Sequence, residues 1–162
     1  MRCLDKTGYL NFRMRAMIVS YAAFNLWQDW KYFSHHLAKK FLDYEPGIHY
    51  SQIQMQSAVT GINTVRIYNP VKNSIDLDPK GDFIKKWVSE LESIPLEHIH
   101  EPWKMTKIEQ QMYNFHLGKD YPFPIIDLKI SRKKASEEIW KIRKSSKSKI
   151  NAKKILEKHI NK

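Results

Sequence analysis

The feature that most constrains this chain is an apolar repeat over residues 12–30. Its members recur with the 3.6-residue period of an α-helix, and they are Ala16, Val19, Ala23, Leu26 and Trp30. Thr7 and Gly8 break the chain before the repeat. We therefore predict one long helix over residues 12–30. At about 1.5 Å per residue it would be roughly 28 Å long, enough to cross a domain.

Further helix and loop signals follow along the chain. The predicted helices cover residues 32–42, 51–60, 83–91 and 106–116, with a last helix from residue 131. The triplet Glu45-Pro46-Gly47 is predicted to end the second helix, because proline lacks a backbone donor. Residues 61–80 read as an extended loop. Little in the sequence indicates strands, so the predicted fold class is all-α.

Size and composition restrict the class of protein. A chain of 162 residues with five Trp, eight Tyr and seven Phe is one globular domain or part of one. No apolar run approaches the roughly 18 to 20 residues of a membrane span, so no membrane association is expected. The first residues lack a signal-peptide pattern, and Cys3 is the single cysteine. These observations favour a cytoplasmic location.

The net charge of +11 is concentrated at one end. Residues 129–162 carry 13 Lys and Arg against 3 Asp and Glu, whereas residues 1–128 carry 15 against 14. We predict a folded region over residues 1–130 and a basic helical or disordered extension over residues 131–162. Such an extension adds sequence-independent affinity for nucleic acid, or is simply solvated.

Two groups of charged residues are candidates for ligand contacts. Arg13 and Arg15 are two positions apart on a helix, so they point in different directions and one can face an anion. Asp43 and Glu45 stand at a predicted helix C-terminus, where carboxylates oppose the helix dipole. A ligand with hydroxyl or N–H donors would explain them. Surface ion pairs and solvated acids are the alternatives.

The histidines and the remaining motifs indicate no metal and no familiar catalytic site. His98, His100 and His116 lack partners at the spacing of a tetrahedral metal site, and a structural role is predicted for His98 and His100. The sequence contains no glycine-rich phosphate loop and no nucleophile elbow.

Several segments nevertheless occur together in a recognisable order. They are TGYLNFRMR at residues 7–15, LDYEPGIHY at 42–50, RIYNP at 66–70, DPKGDFIKKW at 78–87, HEPWK at 100–104 and DYP at 120–122. In this combination the chain resembles the helical FAD-binding domain of the photolyase/cryptochrome family. The resemblance covers about residues 4–140 and implies an all-α fold that corresponds to the C-terminal portion of that domain only.

The resemblance also implies roles for individual residues. The implied FAD contacts are Tyr9, Phe12, Arg15, Asp43, Tyr44, Glu45, His49 and Tyr50. Among them the acidic pair would hold the ribose and the flavin ring edge, and His49 would lie at or beside the position facing flavin N5. Phe12 and Arg13 would contact DNA, and Trp30 would be the middle tryptophan of an electron-transfer relay.

Two departures from the family pattern leave the activity open. The family's Trp-x-Trp, which supplies the relay tryptophan next to the flavin and a lesion-pocket tryptophan, reads Gln54-Met55-Gln56 here. The helices that grip the flavin phosphates and adenine have no counterpart in this sequence. The favoured hypothesis is an FAD-binding module whose parent reaction is light-driven repair of pyrimidine dimers in DNA. The alternatives are a non-enzymatic blue-light photoreceptor module and a truncated fragment that needs its N-terminal half as a separate chain.

Overall fold

The described part of the chain is built from α-helices. The computed structural model describes residues 1–60 and 63–160. The helices are α1 (Arg2–Thr7), α2 (Phe12–Ser20), α3 (Trp30–Ala38), α4 (Pro46–Gln56), α5 (Pro70–Leu77), α6 (Asp82–Trp87), α7 (Leu96–Ile99), α8 (Lys107–Met112), α9 (Leu128–Lys144) and α10 (Ser146–Ile160). A π-helical turn covers Tyr21–Asn25, and 3-10 turns cover Ser89–Leu91 and Pro102–Lys104. Within the described residues there is no strand, only a bridge between Leu117 and Tyr121. The all-α prediction is confirmed.

Two apolar clusters hold these helices together. The first lies among α1, α2, α3 and α4, and its buried members are Leu4, Leu10, Val19, Phe33, Leu37, Phe41 and Ile53. The second lies around the 3-10 turn that follows α6, and its buried members are Leu91, Ile94, Met105 and Phe115. Each fully buried side chain of this size stabilises the fold by about 1.5–3 kcal/mol. The first cluster therefore fixes the helices that surround the candidate site.

An ion pair joins α1 to the second cluster. The Arg2 guanidinium binds both carboxylate oxygens of Glu90, and the Nη1–Oε2 distance is 2.6 Å. Glu90 immediately precedes the buried Leu91. Hydrogen bonding to Arg2 lowers the pKa of Glu90 to about 2. This pair ties together segments that are 88 positions apart in sequence.

The prediction of one helix over residues 12–30 is wrong at its C-terminal end. Helix α2 widens into the π-helical turn, and the chain then leaves the helix, with Trp27 at a left-handed φ of 54°. The Asp29 carboxylate starts α3 by accepting a hydrogen bond from the backbone N–H of Lys31 at 3.0 Å. The apolar repeat continues across the break because both helices bury side chains in the same core. Periodicity alone therefore could not locate the break.

The reading of Glu45-Pro46-Gly47 as a helix stop is also wrong. Helix α3 ends earlier, at Ala38, and the triplet begins α4. Pro46 occupies the first turn, where a backbone N–H would have no acceptor within the helix, so the lack of one costs nothing. The Glu45 carboxylate accepts the backbone N–H of Ile48 at 2.6 Å. Asp43 and Glu45 therefore precede a helix N-terminus, where the dipole favours negative charge.

The remaining boundaries differ less. The predicted loop over residues 61–80 contains α5, which Asn69 caps and Pro70 begins; its first two residues, Gly61 and Ile62, lie outside the described residues. The helices predicted over residues 83–91 and 106–116 are present but shorter, as α6 and α8. A capping box formed by Thr106 and Glu109 fixes the start of α8.

Helix α9 packs against the π-helical turn, so the basic C-terminal segment begins in contact with the rest of the protein. The Asn25 amide donates to Ser131 Oγ at 3.0 Å, Ala135 is fully buried, and Arg143 donates to the carbonyl of Asn63 at 2.6 Å. Helix α10 follows after Ser145. The division at residue 130 stays a prediction. Among the helices described, none is long and apolar enough to cross a membrane.

The Arg2–Glu90 pair predicts a pH-dependent stability. A carboxyl whose pKa is lowered by folding stabilises the protein above its ordinary pKa of 4.5, and this contribution is lost as the pH falls towards about 2. We expect Glu90→Gln to lower the urea midpoint at pH 6, and the difference from wild type to shrink steadily below pH 4.5. The same substitution at the exposed Glu92 is the control. A Glu90→Gln difference that is constant from pH 6 to pH 2.5 would contradict this coupling.

Candidate functional site

A cavity opens between α2, α3 and α4, beside the first apolar cluster. Its volume is about 180 Å³, and it is lined by Phe12, Arg15, Ala16, Val19, Leu37, Phe41, Ile48, His49, Gln52, Ile53 and Gln56. The α2 residues come from its first two turns, and the α4 residues fall on one face at helical spacing. The cavity thus has an apolar floor with a few polar groups, which is the usual composition of a small-molecule site.

Arg15 connects this cavity to the acidic segment. Its Nη2 donates to Asp43 Oδ2 at 2.8 Å, and its Nε donates to the backbone carbonyl of Leu10 at 2.6 Å. The guanidinium carbon lies 4.2 Å from the ring centre of Phe41 and 5.3 Å from that of Tyr9. Hydrogen bonding to Arg15 lowers the pKa of Asp43. Arg15 is therefore held in one orientation, and Asp43 remains ionised near the rim of the cavity.

His49 is fixed in the opposite wall by a main-chain contact. Its Nε2 lies 2.9 Å from the carbonyl oxygen of Ser34, and a carbonyl can only accept, so Nε2 carries a proton. Its ring makes edge-to-face contacts with Phe41, Tyr44 and Tyr50, at centroid distances of 6.2, 5.2 and 5.2 Å. The position of the imidazole is thus set from several sides.

The side chains around His49 extend this aromatic wall towards solvent. The Tyr50 hydroxyl lies 3.1 Å from Nδ1 of His35, and its ring contacts Tyr44 edge-on. Tyr44 is 39% exposed and forms the outer part of the wall. Tyr44 and Tyr50 therefore do not line the cavity themselves, but they contact His49, which does.

The structure brings together some of the residues predicted to bind the cofactor and not others. Phe12, Arg15 and His49 line the cavity itself. Tyr9 and Asp43 contact Arg15 instead. The remaining three predicted residues are Tyr44 and Tyr50, which pack on His49, and Glu45, which caps α4.

The residues predicted to contact DNA and to carry electrons lie at different places. Phe12 is 61% exposed at the mouth of the cavity. Arg13 is exposed beside it, outside the cavity lining. Trp30 packs against the first apolar cluster and lines a second cavity, not this one.

Sequence reasoning missed Gln52 of α4, and it singled out Gln56 only as a departure from the family pattern. Gln52 lines the cavity, and within the described structure its Oε1 is buried with no hydrogen-bond partner. Gln56 lines the cavity one turn later. The signal was the spacing of His49, Gln52, Ile53 and Gln56, which places them on one helical face. It would have been recognised if Pro46 had been read as the first residue of a helix.

No metal centre is found at this site or elsewhere in the described ranges, because no three His, Cys, Asp or Glu side chains there are grouped to hold an ion. His98 instead bonds Glu109 at 3.2 Å, and His100 bonds Ser74 at 2.7 Å.

Comparison with known proteins identifies the family. The sequence family described as the FAD binding domain of DNA photolyase matches residues 1–141. The chain belongs to this family. Membership agrees with the all-α fold and with the order of the motifs along the chain.

Individual relatives include both photolyases and cryptochromes. A deoxyribodipyrimidine photo-lyase of Alkalihalophilus pseudofirmus is 36% identical over 138 residues, which are 83% of this chain and 29% of that protein. The solved structure of a Synechocystis cryptochrome matches with a TM-score of 0.80 and 28% identity, over 85% of this chain and 29% of that one. An archaeal photolyase of Sulfolobus tokodaii, described with two FAD molecules, matches with a TM-score of 0.73 and 31% identity, over 85% of this chain and 30% of that one. The chain thus spans less than a third of these relatives.

The capping role of Glu45 generates a stability prediction. Replacing a capping side chain by alanine costs about 1 kcal/mol, because a backbone N–H loses its partner. We expect Glu45→Ala to lower the free energy of unfolding in urea by about that amount. Glu92→Ala, at an exposed position, should stay within about 0.5 kcal/mol of wild type. Equal effects of the two substitutions would show that the contact with Ile48 does not stabilise α4.

Proposed function

We propose that this chain forms one wall of an FAD site in a light-driven protein of the photolyase/cryptochrome type. The observation that carries the proposal is the cavity in which Arg15, His49 and Gln52 meet, in a chain of the FAD-binding family. The Oε1 of Gln52, which has no partner among the residues described, can accept a hydrogen bond from a flavin ring N–H. FAD, when bound, would supply light-driven transfer of one electron.

The residues of the chain would orient the flavin and set its surroundings. The apolar floor at Ala16 and Val19 would pack against the ring and exclude water. Asp43, ionised and held by Arg15, would accept hydrogen bonds from the ribose or the ring edge. His49 would present its second nitrogen, Nδ1, because Nε2 is already bonded to Ser34.

The size of the cavity supports a site that other residues complete. Pockets for ligands of ordinary drug size measure about 300–1,000 Å³, whereas this one measures about 180 Å³. Its mouth is also rimmed by exposed apolar side chains, including Phe12 at 61% and Ile48 at 65%. A rim of this kind is typical of a surface that another polypeptide segment covers. We infer that an N-terminal half, in the same or a separate chain, covers the rim and binds the rest of FAD.

DNA is proposed to bind at the mouth of the cavity. Arg13 would contact a phosphate, since it is exposed and, within the described residues, makes no ion pair with a carboxylate. Phe12 would pack against an extruded base.

A cytoplasmic location accompanies this proposal, supported by the free thiol of Cys3.

A specific observation favours a second candidate, a blue-light photoreceptor module that repairs no DNA. Gln56 lines the cavity and offers an amide where the resemblance implies an aromatic surface for stacking a damaged base. A dimer-containing oligonucleotide separates the two functions. Under blue light the FAD-loaded assembly restores the dimer to monomers if it is a photolyase, and leaves it unchanged if it is a photoreceptor.

The first test concerns the flavin. We expect the 162-residue chain, mixed with the N-terminal two-thirds of the Alkalihalophilus photolyase as a separate polypeptide, to retain FAD on gel filtration. Asp43→Asn should reduce the flavin absorbance of the complex at least tenfold, because the ion pair with Arg15 and an acceptor are lost together. Asp76→Asn, at an exposed position, is the matched control. Unchanged flavin content in Asp43→Asn would remove Asp43 from the site.

The second test concerns the electron path. We propose that Trp30 carries electrons and that Gln54 interrupts the relay. A tryptophan can be oxidised by an excited flavin to a radical cation, whereas the amide of glutamine cannot. We expect Gln54→Trp to accelerate flavin photoreduction in the same complex, and Gln54→Leu to leave it slow. Trp30→Phe should remove the gain made by Gln54→Trp. A gain that survives Trp30→Phe would exclude Trp30 from the path.

A further inference from the structure

We propose a second binding site in this protein, for a mononucleotide, in the cavity under α9 and α10. The cavity measures about 670 Å³, within the usual range of about 300–1,000 Å³ for small-molecule sites. The lining residues that matter here are Trp27, Trp30, Lys31, Ser57, Ala58 and Arg143. It is separate from the candidate flavin cavity, and the proposal does not depend on flavin binding.

The backbone around this cavity adopts costly conformations. The π-helical turn Tyr21–Asn25 forms one side, and Trp27 follows it with a φ of 54°. On the other side Ala58 has a φ of 60°. A left-handed backbone is costly for residues other than glycine, and π-helical turns are frequent at functional sites. Two separate segments thus hold unfavourable backbone in the wall of one cavity.

Two tryptophans give the cavity faces for an aromatic ring. Trp27 is 51% exposed, although a residue of its size is normally covered, and Trp30 lies in the same wall. Stacking of a nucleobase on an aromatic side chain contributes about as much as a strong hydrogen bond and is tolerant of base identity. The aromatic part of the ligand is assigned to this side of the cavity.

Two cations provide for an anionic group. Lys31 and Arg143 line the cavity, and across the described ranges neither forms an ion pair with a carboxylate. Arg143 donates Nη2 to the carbonyl of Asn63, which orients the guanidinium and leaves its charge uncompensated. Asp29 also lines the cavity, and its carboxylate accepts the backbone N–H of Lys31. Because Lys31 and Arg143 together outweigh the charge of this acid, the lining is net positive and favours a phosphate.

A buried hydroxyl supplies a further polar contact. Ser57 Oγ is buried and, among the residues described, has no hydrogen-bond partner. Such groups are rare in folded proteins, and a ribose hydroxyl or a base edge would satisfy this one. An aromatic ring, a hydroxyl-bearing sugar and a phosphate together define the ligand class as a mononucleotide.

The test is calorimetric titration of the 162-residue chain with AMP, adenosine and inorganic phosphate. We expect AMP to bind, and adenosine and phosphate each to bind at least tenfold more weakly, because both parts of the site are needed. Trp27→Ala should raise the Kd of AMP at least fivefold. Trp140→Ala is the matched control, since Trp140 is 50% exposed and lies outside the cavity lining.

A charge variant keeps the test independent of the backbone at Trp27. Lys31→Gln should also raise the Kd of AMP at least fivefold, whereas Lys39→Gln in the same helical region should not. Circular dichroism checks that each variant retains its helix content. If Trp27→Ala unfolds, Lys31→Gln alone decides the outcome.

Several results would overturn the proposal. They are the absence of AMP binding at millimolar concentration, equal effects of Trp27→Ala and Trp140→Ala, and equal effects of Lys31→Gln and Lys39→Gln. Loss of AMP binding in Asp43→Asn with normal binding in Lys31→Gln would place the nucleotide in the first cavity. A ten-nucleotide oligonucleotide whose binding depends on Trp27, with no binding of AMP, would make the site one for a nucleic-acid strand.

Discussion

The candidate site depends on the contacts that the Arg15 guanidinium makes. It lies over the ring of Phe41, donates to Leu10 on its own side and reaches Asp43 across 28 positions of sequence. These contacts join the start of α2 to the turn before α4. A guanidinium with fixed donors in a plane can satisfy such partners at once, whereas a lysine would offer a single point of charge. These contacts hold Arg15 in place at the edge of the cavity, whose helices the first apolar cluster fixes.

The contact that begins helix α4 determines which of its side chains line the cavity. The Glu45 cap and Pro46 set where the helix begins, and its register then decides which side chains enter the cavity. His49, Gln52 and Gln56 face inward as a result. The Ser34 carbonyl then fixes the imidazole and its proton. The capping carboxylate and the residues that line the cavity thus lie in one short segment of the chain.

The break after α2 separates the two cavities. On the side of the first cluster, α2 contributes Ala16 and Val19 to the candidate flavin cavity. Beyond it, the π-helical turn supports α9 through Asn25 and forms part of the second cavity. Trp30 belongs to both regions, since it packs on the first cluster and lines the second cavity. An electron that reached Trp30 would thus arrive at the wall of the proposed nucleotide site.

The sequence by itself predicted the helical class from its side-chain periods and the family from the order of its motifs, because both are local properties of the chain. It also singled out Arg15, Asp43 and His49 as candidate site residues. Tertiary structure decided which of those residues share a cavity. The 3.6-residue period ran unbroken through Leu26 and Trp30 although the backbone left the helix there, since both flanks pack on one core. The roles of Glu45, as a cap, and of Gln52, as an unpartnered acceptor, depend on neighbours that only folding provides. The second cavity was likewise beyond the sequence, because its wall joins segments more than 80 residues apart.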